Sequence, residues 1–168
     1  MNPIIITRIR RVRLLAMSFI VALSLATSVA LAGQQDPPQD VDLEFKASDL
    51  GLVFCEFDVG FHLVGKQGVI ILSGGSFITT SPGLDATLTN LTSGASVTLN
   101  ITGTIEETPL ENGLVQRVHR GRNIFFDPLE GFVLLIGQFT ALTDPDTNTL
   151  VQPLEGAGQK IDLCELLS

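Results

Sequence analysis

Hydrophobic and polar positions alternate most strictly over residues 96–105. Val97, Leu99, Ile101 and Ile105 fall on one side, and Ser96, Thr98, Asn100, Thr102 and Thr104 on the other. A period of two with β-branched residues on both sides predicts a strand with one wet face. Residues 85–91 precede it across Thr92-Ser93-Gly94-Ala95, a spacer of hairpin length. Pairing Leu91 with Ser96 sets Thr89 against Thr98 and Leu88 against Leu99, which keeps like faces together away from the turn.

The same rhythm organises the chain on both sides of this hairpin. Residues 53–63 predict a first strand, with Val53, Cys55, Phe57, Val59, Phe61 and Leu63 on one face. Lys66-Gln67-Gly68 predicts a turn, 69–73 and 76–80 two more strands around Gly74-Gly75, and Ser81-Pro82-Gly83 another turn. Beyond the hairpin, 106–110 continue or fray its edge, and Glu111-Asn112-Gly113 carries the Asn-Gly pair of a type I′ turn. Residues 114–119 and 123–126 read as strands on either side of Arg120-Gly121-Arg122. After a turn at 127–131, residues 132–142 read as a strand that is apolar at every position from Phe132 to Ile136. Such a run predicts cover on both faces, with the N-terminal lead-in as the candidate cover. Residues 149–152 make a last short strand, stopped by Pro153, and 159–168 close the chain around Cys164 in one or two helical turns.

All of these connections are short, so the expected fold class is all-β with antiparallel meander topology. A meander of about eight strands exposes two raw edges unless it closes, so a single β-barrel is the expected architecture and a two-sheet β-sandwich the alternative.

The N-terminal end does not share the rhythm. Arg8, Arg10, Arg11 and Arg13 precede an apolar stretch over 14–31, and Ala30-Leu31-Ala32 supplies a small-x-small site. This predicts a signal peptide over 1–32, with a retained membrane anchor as the alternative, and a secreted or periplasmic location. Residues 33–50, with Pro37-Pro38, then form a mobile tether and lead-in, and 51–168 the all-β domain. Loss of 1–32 leaves six basic against 18 acidic residues, a net charge of −12. Such a surface repels nucleic acid and anionic lipid, and the absence of Trp and Tyr removes the usual base-stacking platforms. The expected partner is a small ligand in the barrel, not nucleic acid or a membrane. Cys55 and Cys164 are an even count, which in an exported protein predicts a disulfide, with two buried free thiols as the alternative. Closing a loop of about 110 residues contributes roughly 4–5 kcal/mol in the chain-entropy account.

Three stretches carry a resemblance: Cys55-Glu56-Phe57, the run from Thr89 to Asn100, and Asp162-Leu163-Cys164. Together they resemble a group of small exported bacterial all-β proteins with no established activity. The resemblance implies an exported all-β domain with both cysteines paired, and it brings no catalytic residue.

Several residue sets carry candidate chemistry. Asp144, Asp146 and Asn148 place oxygens at alternate positions, and Glu155 stands twelfth from Asp144, as in a calcium loop. Thr149 in place of the turn glycine, and the intruding Pro153, favour a plain hairpin turn there. Arg117, His119, Arg120 and Arg122 form a candidate anion site, or else a turn whose arginines offset nearby acids. Glu56, Asp58 and His62 share a predicted strand face and suit acid–base work or a metal, or a solvated face. Thr87, Thr89, Thr98, Thr102 and Thr104 make a hydroxyl face that cross-strand pairing explains. Asn90 and Asn100 accept glycans only if export follows a eukaryotic route.

No nucleophile elbow, zinc-protease motif, paired Cys-x-x-Cys or phosphate loop is present, so no catalytic residue and no cofactor other than calcium is assigned. The expected function is a non-enzymatic exported barrel that holds a small apolar or amphipathic ligand. A structural or interaction module at the cell surface is the alternative, and a barrel-type cyclase or isomerase is third. An enclosed cavity favours the first; a filled interior overturns a ligand inside the barrel and favours the second; a polar, pKa-shifted cluster in a cavity favours the third.

Overall fold

A computed structural model describes residues 37–168; the expected signal peptide at 1–32 lies outside the described residues. Ten strands follow in order: β1 (Gln39–Lys46), β2 (Val59–Ile71), β3 (Phe77–Thr80), β4 (Asp85–Asn90), β5 (Ser96–Asn100), β6 (Gly103–Pro109), β7 (Val115–Asp127), β8 (Gly131–Asp144), β9 (Thr149–Leu150) and β10 (Glu155–Asp162). A short helix, α1 (Leu163–Leu166), ends the chain, and no described helix is long and apolar enough to cross a membrane. The fold is all-β and every ladder is antiparallel. The strand path runs β10-β8-β7-β6-β3-β2-β4-β5, with β1 on β2 and β9 on β8. That path is open at both ends, so the closed barrel expected from the meander is not seen.

The short strands are halves of longer ones. Ser81 N donates to Gly103 O (3.0 Å) and Ile101 N to Leu84 O (2.8 Å), which carries the β3–β6 ladder into the β4–β5 ladder past a local break. The alternating stretch 96–105 is therefore divided between β5 and β6. Its hairpin register is Thr89 with Ser96 and Thr87 with Thr98, two residues away from the expected pairing. A slip of two preserves both faces, so alternation cannot distinguish the two registers. The loop decides it: Asn90 N donates to Ala95 O and Gly94 N to Asn90 O, both at 2.8 Å. The Asn90 side chain accepts from Thr92 N and Ser93 N.

Five further expectations are corrected. Residues 53–58 are a loop, with Val53 90 % exposed, and the strand starts at Val59. β2 runs straight through the expected turn at 66–68, where Lys66 pairs with Asp40 and Gln67 with Gln39. The tether is correspondingly shorter, because 39–42 already belong to β1. β7 is continuous through Arg120-Gly121-Arg122. The 111–113 connection is a three-residue loop closed by Leu110 N to Leu114 O (2.8 Å), with only Gly113 at positive φ (+85°), so it is not a type I′ turn.

Gly121, read with Arg120 and Arg122 as a connection between strands, serves instead to bend one. Gly103, Gly121, Gly137 and Gly158 stand side by side across β6, β7, β8 and β10. Gly121 has φ +86°, and a Cβ there would lie 2.8 Å from Thr102 O; at Gly137 it would run into Ala157 O. The row forms a crease along which the sheet folds. His119 and Phe125 are six residues apart on β7, about 20 Å on a straight strand, yet their ring centroids are 5.2 Å apart.

The far end of the β7–β8 hairpin is latched over the near end. Asp127 Oδ2 accepts from Leu150 N (2.7 Å), and Leu150 pairs with Thr143, itself paired with Val115 at the opposite end of β7. Glu130 accepts from Leu154 N (2.7 Å) and from Lys160 Nζ (2.6 Å). Burial alone would raise the Glu130 carboxyl, but these two bonds and the lysine charge outweigh it and hold the pKa below its ordinary value.

The bend gives β8 two buried faces. On one, Phe132 and Leu134 join Val59, Phe61, Leu88, Leu99, Leu163 and Leu167, with Phe45, Ala47 and Leu52 around them. On the other, Val133 and Leu135 pack with Phe125, Phe139 and Ala141 under Leu150 and Leu154. The apolar run at 132–136 is thus covered twice, on one side by Phe54 and Phe61, which pack on Phe132, and on the other by the 150–154 segment. Cys55 and Cys164 are joined, with Cα atoms 5.5 Å apart, which fastens the 52–58 loop to α1. Asp162 caps that helix by accepting from Cys164 N and Glu165 N.

Candidate functional site

The inner corner of the bent β7 forms a cleft of about 230 Å³. Ile105 and Glu107 of β6, Arg117, His119 and Phe125 of β7, and Asn148 of the β8–β9 turn line it. The strand period puts Arg117 and His119 on one face of β7, and the register sets Glu107 opposite Arg117 and Ile105 opposite His119. Arg117 Nε meets Glu107 Oε2 at 2.9 Å, and its Nη1 donates to Asn148 Oδ1 at 2.8 Å. Asn148 holds φ 55°, a left-handed position that asparagine tolerates better than most residues.

His119 is 3 % exposed, and Phe125 stands edge-on to its ring. Neither ring nitrogen has a hydrogen-bond partner. Burial, reinforced by the charge of Arg117, lowers the His119 pKa from 6.5 to about 4, so the ring is neutral at pH 7. A buried polar group left unpaired costs about 1–3 kcal/mol, and His119 has two such atoms. On the cleft floor, Asp127 is buried and accepts from Leu129 N (2.8 Å) and Leu150 N (2.7 Å).

The four-residue cationic set is not brought together. Arg120 lies on the opposite face of β7 from Arg117 and pairs with Glu106 (2.8 Å), while Arg122 Nε donates to Asn100 O (2.6 Å). Each arginine already has a protein partner, an acid for Arg117 and Arg120 and a backbone carbonyl for Arg122.

The candidate calcium ligands are likewise spread out. Asp144 Oδ1 accepts from Asp146 N (2.8 Å), Asn148 Oδ1 is held by Arg117, and Glu155 pairs with Thr140. Thr140 lies four residues down β8 from Asp144, about 13 Å along a strand. Among the described residues no group of three or more His, Cys, Asp or Glu side chains is placed to hold a metal.

Glu56, Asp58 and His62 do not share a strand face, because the first two precede β2. Asp58 instead secures the 3-10 turn at Ala47–Leu50, accepting from Ser48 Oγ (2.5 Å) and Ser48 N (3.1 Å). The Ser48 hydroxyl bond is the main reason its pKa lies below the ordinary value. His62 Nε2 meets exposed Asp42 at 3.1 Å. The threonines pair across β4 and β5, Thr87 with Thr98 at 2.9 Å and Thr89 with Ser96 at 3.2 Å. Asn90 is buried and donates to Leu167 O (3.1 Å), so its amide is closed to a glycan.

Glu107, Phe125, Asp127 and Asn148 are cleft residues that one-dimensional pattern does not connect to His119. A trace of the arrangement is readable: counting outward from the 127–131 turn sets Gly121 opposite Gly137.

Fold and cleft together define an antiparallel, disulfide-linked all-β domain with a polar corner in a creased sheet. Compared with known proteins, the chain matches no family model, no curated protein and no solved structure.

Proposed function

We propose that this chain is an exported, non-catalytic binding domain that holds a small amphipathic ligand in the cleft between β6 and the bent β7. The supporting observation is the buried, unpartnered His119 in the wall of a cleft of about 230 Å³, with apolar Ile105 and Phe125 beside it. Pockets that bind small molecules combine apolar walls with a few convergent polar groups. The space around Phe61, Leu88, Leu134 and Leu163 is filled by side chains, so the ligand belongs in the cleft and not in an enclosed interior. The basic, apolar and small-residue leader and the Cys55–Cys164 bond support export.

The test is mass spectrometry of small molecules that co-purify with the protein from its native source. An amphipathic compound near one-to-one is expected, and Ile105→Arg, which projects a long charged chain into the cleft, loses it without changing the circular dichroism. Retention of the compound by that variant moves the site elsewhere.

A second reading, an interaction module, draws on the filled interior and on the edge strand β10, where residues 155–160 are all exposed. Self-association or partner capture abolished by a proline at Ala157 supports that reading.

A further inference from the structure

A binding cleft at β6 and β7 can select its ligand by charge, and on the reading that this cleft binds a small amphipathic molecule its lining groups make such a selection. We infer that the cleft takes an uncharged ligand carrying a hydroxyl group, in preference to a carboxylate of the same shape. Arg117 is the cation of the cleft, and it already gives Nε to Glu107 and Nη1 to Asn148. Glu107 and Asp127 bring carboxyl groups to the same lining. A ligand carboxylate would thus lose its hydration facing two acids, with its one possible counter-ion already matched; a buried charge in that position is strongly disfavoured.

His119 offers something different. A neutral imidazole has one N–H donor and one lone-pair acceptor, and here both are unspent. A hydroxyl both donates and accepts, so it can answer either nitrogen. A carboxylate answers only the N–H. The burial-lowered pKa keeps the ring in this dual-purpose neutral form at pH 7. The nitrogens lie behind the wall, so a hydroxyl reaches them as the Phe125 ring, edge-on at 5.2 Å, turns aside. The apolar remainder of the ligand then lies against Ile105 and the displaced ring.

A matched pair of probes, benzyl alcohol and benzoate, tests this in the purified protein at pH 7 by NMR of the imidazole carbon-bound protons. The protein has two histidines, and His62, half-exposed on the other part of the sheet, is the internal reference. Benzyl alcohol is expected to shift the His119 signals saturably and leave His62 unmoved, with benzoate at least about tenfold weaker. Phe125→Leu should strengthen the alcohol response by easing access. His119→Phe should abolish the preference, and His119→Gln, whose amide also donates and accepts, should restore part of it; an unfolded His119→Phe leaves the wild-type comparison decisive.

Benzoate binding as well as the alcohol while moving His119 overturns the inference and leaves the cleft as the site. Saturable binding that never moves His119 overturns both the inference and the cleft. If neither probe binds, the inference fails, while the co-purified compound still decides whether the cleft binds a ligand at all.

Discussion

His119 is the residue whose environment conflicts most with its chemistry. It is an imidazole with a normal pKa of 6.5, held at about 4 by burial and then by Arg117. The unfolded chain binds a proton at this site below pH 6.5, and the folded chain does not until pH falls to about 4. The stability associated with the neutral ring is therefore complete above pH 6.5 and lost progressively down to pH 4, by about 3 kcal/mol in all. His119→Phe should remove this part of the acid sensitivity. Urea midpoints measured at pH 7 and pH 4.5 should converge in the variant relative to wild type, and an unchanged difference would refute the assignment. Carboxyls with lowered pKa, Asp58 and Glu130, lose their contribution at lower pH and are common to both proteins. Arg117, His119, Arg120 and Arg122 are visible in the sequence as a cluster, but strand alternation sends Arg120 to the other face and pairs it with Glu106. What singles out His119 is the absence of a partner, and that is a property of surroundings built from β6, β7 and the β8–β9 turn.

Among the elements, the β7–β8 hairpin determines where the cleft lies. Its strands are long because Arg120-Gly121-Arg122 bends instead of turning, and β2 likewise continues through 66–68. Glycine serves both purposes, and a strand that bends keeps its alternation on either side, so local pattern cannot tell a bend from a turn. The two roles separate by mutation. Gly113 and Gly121 have nearly the same φ, +85° and +86°, but a Cβ on Gly113 meets open space, whereas one on Gly121 meets Thr102 O at 2.8 Å. Gly113→Ala should cost about 1 kcal/mol for the left-handed backbone alone. Gly121→Ala should cost about 2–4 kcal/mol, because bending strain adds to it. Thermal melts of the two variants check this, and equal losses would mean that the crease is not a tight contact. The hairpin at Asn90 makes the complementary point: its faces were legible and its register was not, because a slip of two residues leaves every face in place.

For the whole molecule, the Cys55–Cys164 bond ties together two segments that lie outside the strand ladders. The 52–58 loop has no ladder of its own, and α1 has four residues. A separation of 109 residues makes the closed loop long, so reduction, or the Cys55→Ala/Cys164→Ala pair, should lower stability by roughly 4–5 kcal/mol. Denaturant titrations with and without reductant read this directly, and coincident midpoints would show that the bond constrains little. The cores should persist after reduction, since Phe132 and Leu134 pack on Phe61, Leu88 and Leu99 independently of the sulfur atoms.

What the sequence determined by itself was composition-wide and local. Alternation of apolar and polar positions depends only on neighbours two apart, so the all-β class, the 132–136 run buried on both faces and most turns were readable directly. The even cysteine count, taken with the expected export, pointed to the bond that joins Cys55 and Cys164. Tertiary structure decided the rest. An open or closed sheet depends on where two distant edges finish. The cleft depends on Gly103, Gly121, Gly137 and Gly158 falling into line across four strands, so that one strand doubles back on itself. No single strand contains that alignment, and without it His119 and Phe125 would sit about 20 Å apart on a straight ribbon.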